Sequence, residues 1–367
     1  MRLPRTARRL KCVADHADRQ GSMIRRSEES RSVAREQRAG PFRPSRGMVV
    51  GAVVGLPASV VLLLLSLRHL NTDALQASLR AADPRTLALA VCTVSVVYPI
   101  QAARWRLISM ASPPLPLRRF VEWVVGAIAI NNVVPGRPGD LLRVEWLSRG
   151  ARMPRTPALA SVAVDRGLDV VVLVVALALT YPAAQHALWL NRLELVAGLV
   201  GVLVVMLFVA ATVYARRSRV SPAGRVRRVL ASAGRESGNR LHGWRGVGAV
   251  LLSVLAWGAW ALSAWLVASA LGIALTPREI VFVTSVLNLG VAVPSSPGYI
   301  GTYQWLGVSA LGLLGVNHTE AFAFSVLMHA SWFIPTTVAG VVLALRKLTP
   351  AVGRVPSRDG VRSGAFR

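Results

Sequence analysis

Charged side chains inside otherwise apolar runs are the residues of this sequence whose types and spacing can do chemistry. Asp165, Arg166 and Asp169 interrupt a stretch of Ala, Val and Leu between 157 and 181. At 3.6 residues per turn Asp165 and Asp169 stand about 40° apart and Arg166 about 100° from Asp165, so the three can share one polar helix face. An ionised group inside a bilayer costs a few kcal/mol, so such residues pair with one another or line a pathway for polar cargo. Both roles are open to this trio: lining a translocation site, or an ion pair that fixes helix packing.

A second cluster surrounds Pro-Gly-Arg-Pro-Gly-Asp at 135–140 and comprises Asn131, Asn132, Arg137, Gly139, Asp140 and Arg143. Pro138 and Gly139 restart a helix there, with Asp140 in its first turn. Free N–H groups at a helix start beside Arg137 suit an anion such as a phosphate head group. Asp140 and Arg143, three apart, can instead satisfy each other. Leftover negative charge at 165–169 can be met by Arg137 or Arg143. The third cluster, Pro-Ser-Ser-Pro-Gly-Tyr at 294–299, is nearly uncharged: Ser295, Ser296 and Gly298, with Asn288 before and Tyr303 and Gln304 after. An Arg-rich site opposed to a hydroxyl-rich one suits holding an anionic head group on one side and receiving it on the other without a strong counter-charge. His329, alone on an apolar face, reads as a packing residue.

The elements that must position these residues follow from hydropathy. Apolar runs long enough for a bilayer core of about 30 Å lie near 49–67, 86–103, 157–181, 188–214, 246–273 and 320–345. Two further apolar stretches, 120–149 and 280–316, are broken in the middle by proline and glycine, and each reads as a re-entrant hairpin or a pair of short spans. Broken backbone at membrane depth is tolerated only inside protein or along a wet cavity. The expected fold is therefore an all-α polytopic membrane protein, with about six full transmembrane helices plus two re-entrant hairpins. Both hairpin tips contain Pro-x-x-Pro-Gly, 159 residues apart. Each half, 49–181 and 188–345, is two spans, a broken hairpin and a third span, and three being odd, the second half runs inverted. Inverted repeats with discontinuous helices are characteristic of transporters, whose broken helices meet at the binding site.

Charge sets the orientation. The chain of 367 residues is 53% hydrophobic and 16% charged, which excludes an ordinary soluble enzyme, yet it carries a formal net charge of +26. With the N-terminus inside, 35 of the 43 basic residues, including the four at 104–119, fall on the cytoplasmic side and four on the other. Trp105, Trp123, Trp146, Trp189 and Trp244 lie near predicted span ends, as interfacial anchors do. Residues 1–48 and 349–367 read as basic, disordered cytoplasmic tails flanking a transmembrane domain at 49–348. Met23 or Met48 are alternative starts. Cys12 and Cys92 make no disulfide framework or cysteine-bound metal cluster. No metal, cofactor or nucleic-acid partner is expected.

Three blocks, NNVVPGRPGDLLRVEWL at 131–147, ASVAVDRGLDVV at 160–171 and VPSSPGYIGTYQWLGVSALGLLGV at 293–316, resemble the flippase-like integral membrane family named after the transmembrane region of lysylphosphatidylglycerol synthase. Arg137, Gly139, Asp140, Arg143, Arg166 and Asp169 match its pattern residue by residue. Asp165 stands where the family usually has Glu, and Gln304 where it often has Glu. The resemblance implies lipid handling in the plasma membrane: translocation of a phosphate-bearing phospholipid, glycolipid or polyprenyl-phosphate lipid, with both termini cytoplasmic. The soluble synthase half is absent, so no lysyl transfer is expected and a separate lipid-modifying or glycosyl-transferring enzyme would supply the lipid. A polyprenyl-phosphate-dependent glycosyltransferase is one alternative, although the first outer loop offers only Asp73 and Asp83 as carboxylates. A noncatalytic membrane partner of a lipid or glycan synthesis enzyme is the other.

Overall fold

A computed structural model describes residues 46–68, 70–134, 137–180, 240–291 and 296–348. The expected tails apart from residues 46–48, the span at 188–214, Trp189 and Ser295 lie outside these residues. The described residues form ten α-helices and one short 3-10 turn. They are α1 (Arg46–Leu67), α2 (Thr72–Ala81), α3 (Pro84–Ser109), α4 (Leu117–Val133), α5 (Gly139–Gly150), α6 (Arg155–Thr180), α7 (Trp244–Ala270), α8 (Pro277–Gly290), the turn Pro297–Tyr299, α9 (Thr302–Leu313) and α10 (His318–Leu348).

Helix α3 begins where Asp83 caps it. The carboxylate accepts the backbone N–H groups of Arg85 at 3.2 Å and Thr86 at 3.0 Å, and these bonds with the Thr86 hydroxyl hold the carboxyl below its ordinary range. Helix α8 begins with a capping box between Thr276 and Glu279. Three helices, α3, α7 and α10, are long and apolar enough to cross a membrane by length and composition. Helix α6 equals α3 in length, at 26 residues, but carries three charges near its middle. Helix α2 turns 89° from the Gly55–Leu67 part of α1. The expected six full spans are thus not reached among the described residues. Hydropathy windows had merged length with composition, and the charges of α6 and the bend after α1 separate them.

Both proline-glycine stretches are pairs of short helices. At 1.5 Å per residue, α4 reaches about 26 Å, α8 about 21 Å, and α5 and α9 about 18 Å each, all short of the bilayer core. The order long helix, broken pair, long helix occurs twice, as α3 to α6 and α7 to α10. The packing repeats with it. Helix α4 lies against α10 as α8 lies against α6, and α3 against α6 as α7 against α10. Likewise α3 packs on α10 as α7 packs on α6, while α3 and α7 pack on each other. Exchange of the two halves therefore maps each of these contacts onto another.

Small residues allow the central approach of α3 and α7. Ala90 and Val94 face Ala256, Ala264 and Val267, all buried, and the Ser263 hydroxyl donates to the Ala90 carbonyl at 2.9 Å. Outward, α7 presents Val247, Leu251, Val254 and Leu255, all more than half exposed. Aliphatic side chains on the outer face suit a lipid surround rather than water.

Candidate functional site

Five of the charges singled out in the sequence, Asp140, Arg143, Asp165, Arg166 and Asp169, meet in a closed ring with Arg104. Arg104 donates through Nε to Asp165 Oδ1 at 2.8 Å and through Nη1 to Asp169 Oδ1 at 2.7 Å. Arg143 donates to the other Asp165 oxygen at 2.7 Å and lies 3.5 Å from Asp140 Oδ1. Arg166 closes the circuit, reaching Asp140 Oδ1 at 3.2 Å and Asp169 Oδ2 at 3.1 Å. Each arginine bridges two aspartates and each aspartate two arginines, so six alternating charges join α3, α5 and α6. Three positive and three negative groups balance.

The ring is held from outside as well. The Ser253 hydroxyl on α7 accepts from Arg104 Nη1 at 2.9 Å, and Trp257 Nε1 donates to Asp169 Oδ1 at 3.2 Å. The guanidinium of Arg143 lies over the Trp105 ring, 4.1 Å from its centroid. Trp105 donates to Ser161 Oγ at 3.1 Å and meets Phe120 edge-on. Three expectations change here. Arg104, assigned to a cytoplasmic loop, is fully buried in α3, which continues past Pro99 to Ser109, and its charge is neutralised by two aspartates. Trp105 and Trp123, taken as interfacial anchors, are buried core residues, whereas Trp244 is exposed. Arg240, also counted as a loop charge, is buried and donates to the carbonyls of Ile108, Ser109 and Pro157.

The breaks of the two helix pairs meet beside this ring. Arg137, in left-handed backbone at φ 54°, donates through Nη1 to the Val291 carbonyl at 2.8 Å. Its guanidinium stands 5.4 Å from the ring centroid of Tyr299, itself left-handed at φ 61°. Non-glycine residues reach this region at a cost, and such conformations gather at functional sites. The restart of α5 rests on α4: Asn131 Oδ1 accepts the Gly139 N–H at 2.7 Å, so one of the N–H groups expected to face an anion is already taken. A Cβ at Gly139 would stand 2.1 Å from the Ala127 carbonyl oxygen, which explains glycine there. Gly298, at φ 65°, turns the second break.

A cavity of about 400 Å³ opens between these breaks. Its polar wall comprises Asn131, Asn132, Arg137, Asp140, Arg166 and Asp169, with Tyr98 and Gln101 from α3 and Asn288 from α8. Its aromatic wall comprises Trp257, Trp260, Tyr299, Tyr303 and Trp332. Arg166 keeps 38% of its side chain exposed, whereas Arg143 and Asp165, at 1% each, stand behind the lining. Among the described residues, the lining sets Arg137 and Arg166 against Asp140 and Asp169, and Arg137 is its one cation outside the balanced ring of six.

The structure places the remaining candidates around rather than in the cavity. Ser296 donates its N–H to Ser59 Oγ at 2.8 Å and its hydroxyl to the Ile300 carbonyl, fixing the second break against α1. Gln304 accepts the Gly301 N–H at 2.7 Å and meets His329 Nδ1 at 3.0 Å, and His329 stacks on Tyr303 at 4.7 Å. The sequence reasoning missed Arg104, Tyr98, Gln101, Trp257 and Trp260. Their signal was spacing: Tyr98, Gln101 and Arg104 recur every three residues along one face of α3.

Comparison with known proteins adds a lineage to this geometry. Residues 48–340 match the family described as lysylphosphatidylglycerol synthase TM region. The chain is 29% identical over 361 residues to glycosyltransferase AglD of Haloferax volcanii, covering 84% of this chain and 57% of that protein. It is 24% identical over 200 residues to a UPF0104 membrane protein of Methanothermobacter thermautotrophicus, covering 54% of this chain and 52% of the relative. The chain thus spans a little over half the length of these curated relatives.

Proposed function

This chain belongs to the lysylphosphatidylglycerol synthase transmembrane-region family of multi-pass integral membrane proteins, and we propose that it moves a phosphate-bearing lipid between leaflets, passing the head group through the cavity between its two helix breaks. The observation that carries this reading is the charge balance at that cavity. The ring of Arg104, Arg143 and Arg166 with Asp140, Asp165 and Asp169 is neutral and holds three helices. Arg137 adds one cation on a break, in strained backbone, on the cavity wall. A monovalent phosphodiester fits that cation, while acyl chains stay in the bilayer along the apolar outer faces. The repeated helix order and exchangeable contacts support an inverted repeat, in which the two halves rock about the cavity to expose it to either side. On this reading the protein is a translocator rather than an enzyme, sits in the plasma membrane and keeps both termini in the cytoplasm.

The test is transport of fluorescent phosphatidylglycerol in proteoliposomes, read by dithionite bleaching of the outer leaflet. Arg137→Ala is expected to slow transport at least about tenfold, the loss of one charge-assisted contact, and Arg137→Lys to keep most of it. An unchanged rate in Arg137→Ala would sink the assignment.

The name of the Haloferax volcanii relative supports a second reading, glycosyl transfer. Acid-base work needs a carboxylate free to exchange its proton. At the cavity, Asp140 and Asp169 are each committed to two arginines. In the first outer loop, Asp83 is committed to capping α3, which leaves Asp73 as that loop's other carboxylate. Incubation with a polyprenyl-phosphate sugar and acceptor separates the two readings, since a translocator releases no free polyprenyl phosphate.

A further inference from the structure

Taking the cavity as a lipid head-group site, as proposed above, we infer that the head group it accepts carries an uncharged hydroxylated six-membered ring, a hexosyl or inositol unit, beside its phosphate. An aromatic surface of packed side chains, starting at Trp257 beside the charge ring, forms one wall of the cavity. Trp257 and Trp260 lie 5.9 Å apart between centroids, Trp260 and Trp332 6.1 Å, and Trp332 and Tyr299 6.1 Å. Arg137 stands at the Tyr299 end of that surface. A polyol ring has C–H groups on its faces and hydroxyls around its rim. Its faces pack on aromatic side chains, and its rim needs hydrogen-bond partners.

Candidate partners belong to side chains of the cavity lining. Tyr98 Oη, Trp260 Nε1 and Asn132 Oδ1 belong to side chains more than nine-tenths buried, and none of the three atoms has a hydrogen-bond partner among the described residues. Asn132 is fixed, since its Nδ2 donates to the hydroxyls of Thr336 at 3.2 Å and Thr337 at 2.9 Å, leaving Oδ1 unused. Buried polar atoms are rarely left unpaired. An indole N–H needs an acceptor, an amide oxygen needs a donor, and a phenol serves as either. Neighbouring hydroxyls supply both roles, whereas a bare phosphate only accepts and would leave Asn132 Oδ1 unmet.

Charge decides against the main competitor. An ammonium head group also packs on aromatic faces. It needs a free carboxylate nearby, and Asp140 and Asp169 are both engaged by arginines, with Arg137 a further cation on the wall. A volume of about 400 Å³ accommodates a ring with its phosphate.

The test is calorimetric titration of the purified full-length chain in detergent with four soluble probes: glycerophosphoinositol, glucose 1-phosphate, glycerol 3-phosphate and glycerophosphoethanolamine. At least one ring-bearing probe is expected to bind about tenfold or more tightly than glycerol 3-phosphate, and the tighter of the two identifies inositol or glycosyl as the source. Trp260→Phe and Tyr98→Phe remove one N–H or O–H and keep an aromatic ring, and each is expected to narrow that preference about fivefold. Equal affinity for all four probes, or preference for the ethanolamine probe, overturns the inference. Should either variant fail to fold, the ranking by the wild-type chain decides alone. Ring preference without lipid transport in vesicles would overturn the transport reading and leave this one standing.

Discussion

At the scale of single residues, six alternating charges and one extra cation divide the labour between stability and function. Removing one partner of a buried pair strands the others, at about 3–5 kcal/mol. Asp165→Asn is therefore expected to lower stability by that amount, because it takes a charged partner from both Arg104 and Arg143, and thermal unfolding in detergent reads it as a lower Tm. Arg137→Ala, outside the ring, is expected to leave Tm within a few degrees while slowing transport. The ring was half legible in the sequence. Asp165, Arg166 and Asp169 stood out because charge inside an apolar run is expensive. Arg104 did not, because an arginine at the end of an apolar run has the same appearance whether it faces water or turns inward. Only the Tyr98, Gln101, Arg104 spacing distinguished the two.

At the scale of elements, the proline-glycine breaks bring α4, α5, α8 and α9 to one cavity. Asn131→Ala removes the acceptor of the Gly139 N–H and is expected to cost about 1 kcal/mol, the usual value of a lost helix cap. Gly139→Ala is more severe, since its Cβ would meet the Ala127 carbonyl. A reduced yield of monodisperse protein in detergent, greater for Gly139→Ala than for Asn131→Ala, checks both. The breaks were legible because proline and glycine interrupt a helix locally and recur at the same offset. What they contact was not. That Arg137 reaches Val291 and Tyr299, and that Ser296 and Gln304 serve the loop, depends on distant chain segments that no local pattern encodes.

At the scale of the whole molecule, the enclosed ring is neutral and adds nothing to the formal charge of +26, so charge and apolar composition coexist by segregation along the chain. Aliphatic side chains cover the outer faces of the helices, and the charges that matter are enclosed. Counting basic residues by predicted side had treated Arg104 and Arg240 as orientation signals. Their burial moves them to the architecture. The basic residues before 48 are expected to be dispensable for transport, so a chain lacking residues 1–47 should move lipid in proteoliposomes at the wild-type rate. Loss of transport in that chain would favour a recruiting role for the tail.

The central claim, that a lipid head group travels through the cavity between the breaks, is tested most directly by filling it. Asn288 lines the cavity on α8, and Val254 faces outward on α7. With Cys12 and Cys92 replaced by Ser, Asn288→Cys or Val254→Cys is modified with a bulky thiol reagent, and the transport of fluorescent lipid is compared before and after. Modification at 288 is expected to stop transport and reduction of the adduct to restore it, while modification at 254 leaves the rate as it was. Transport that continues at the same rate with the adduct at 288 in place would contradict the account.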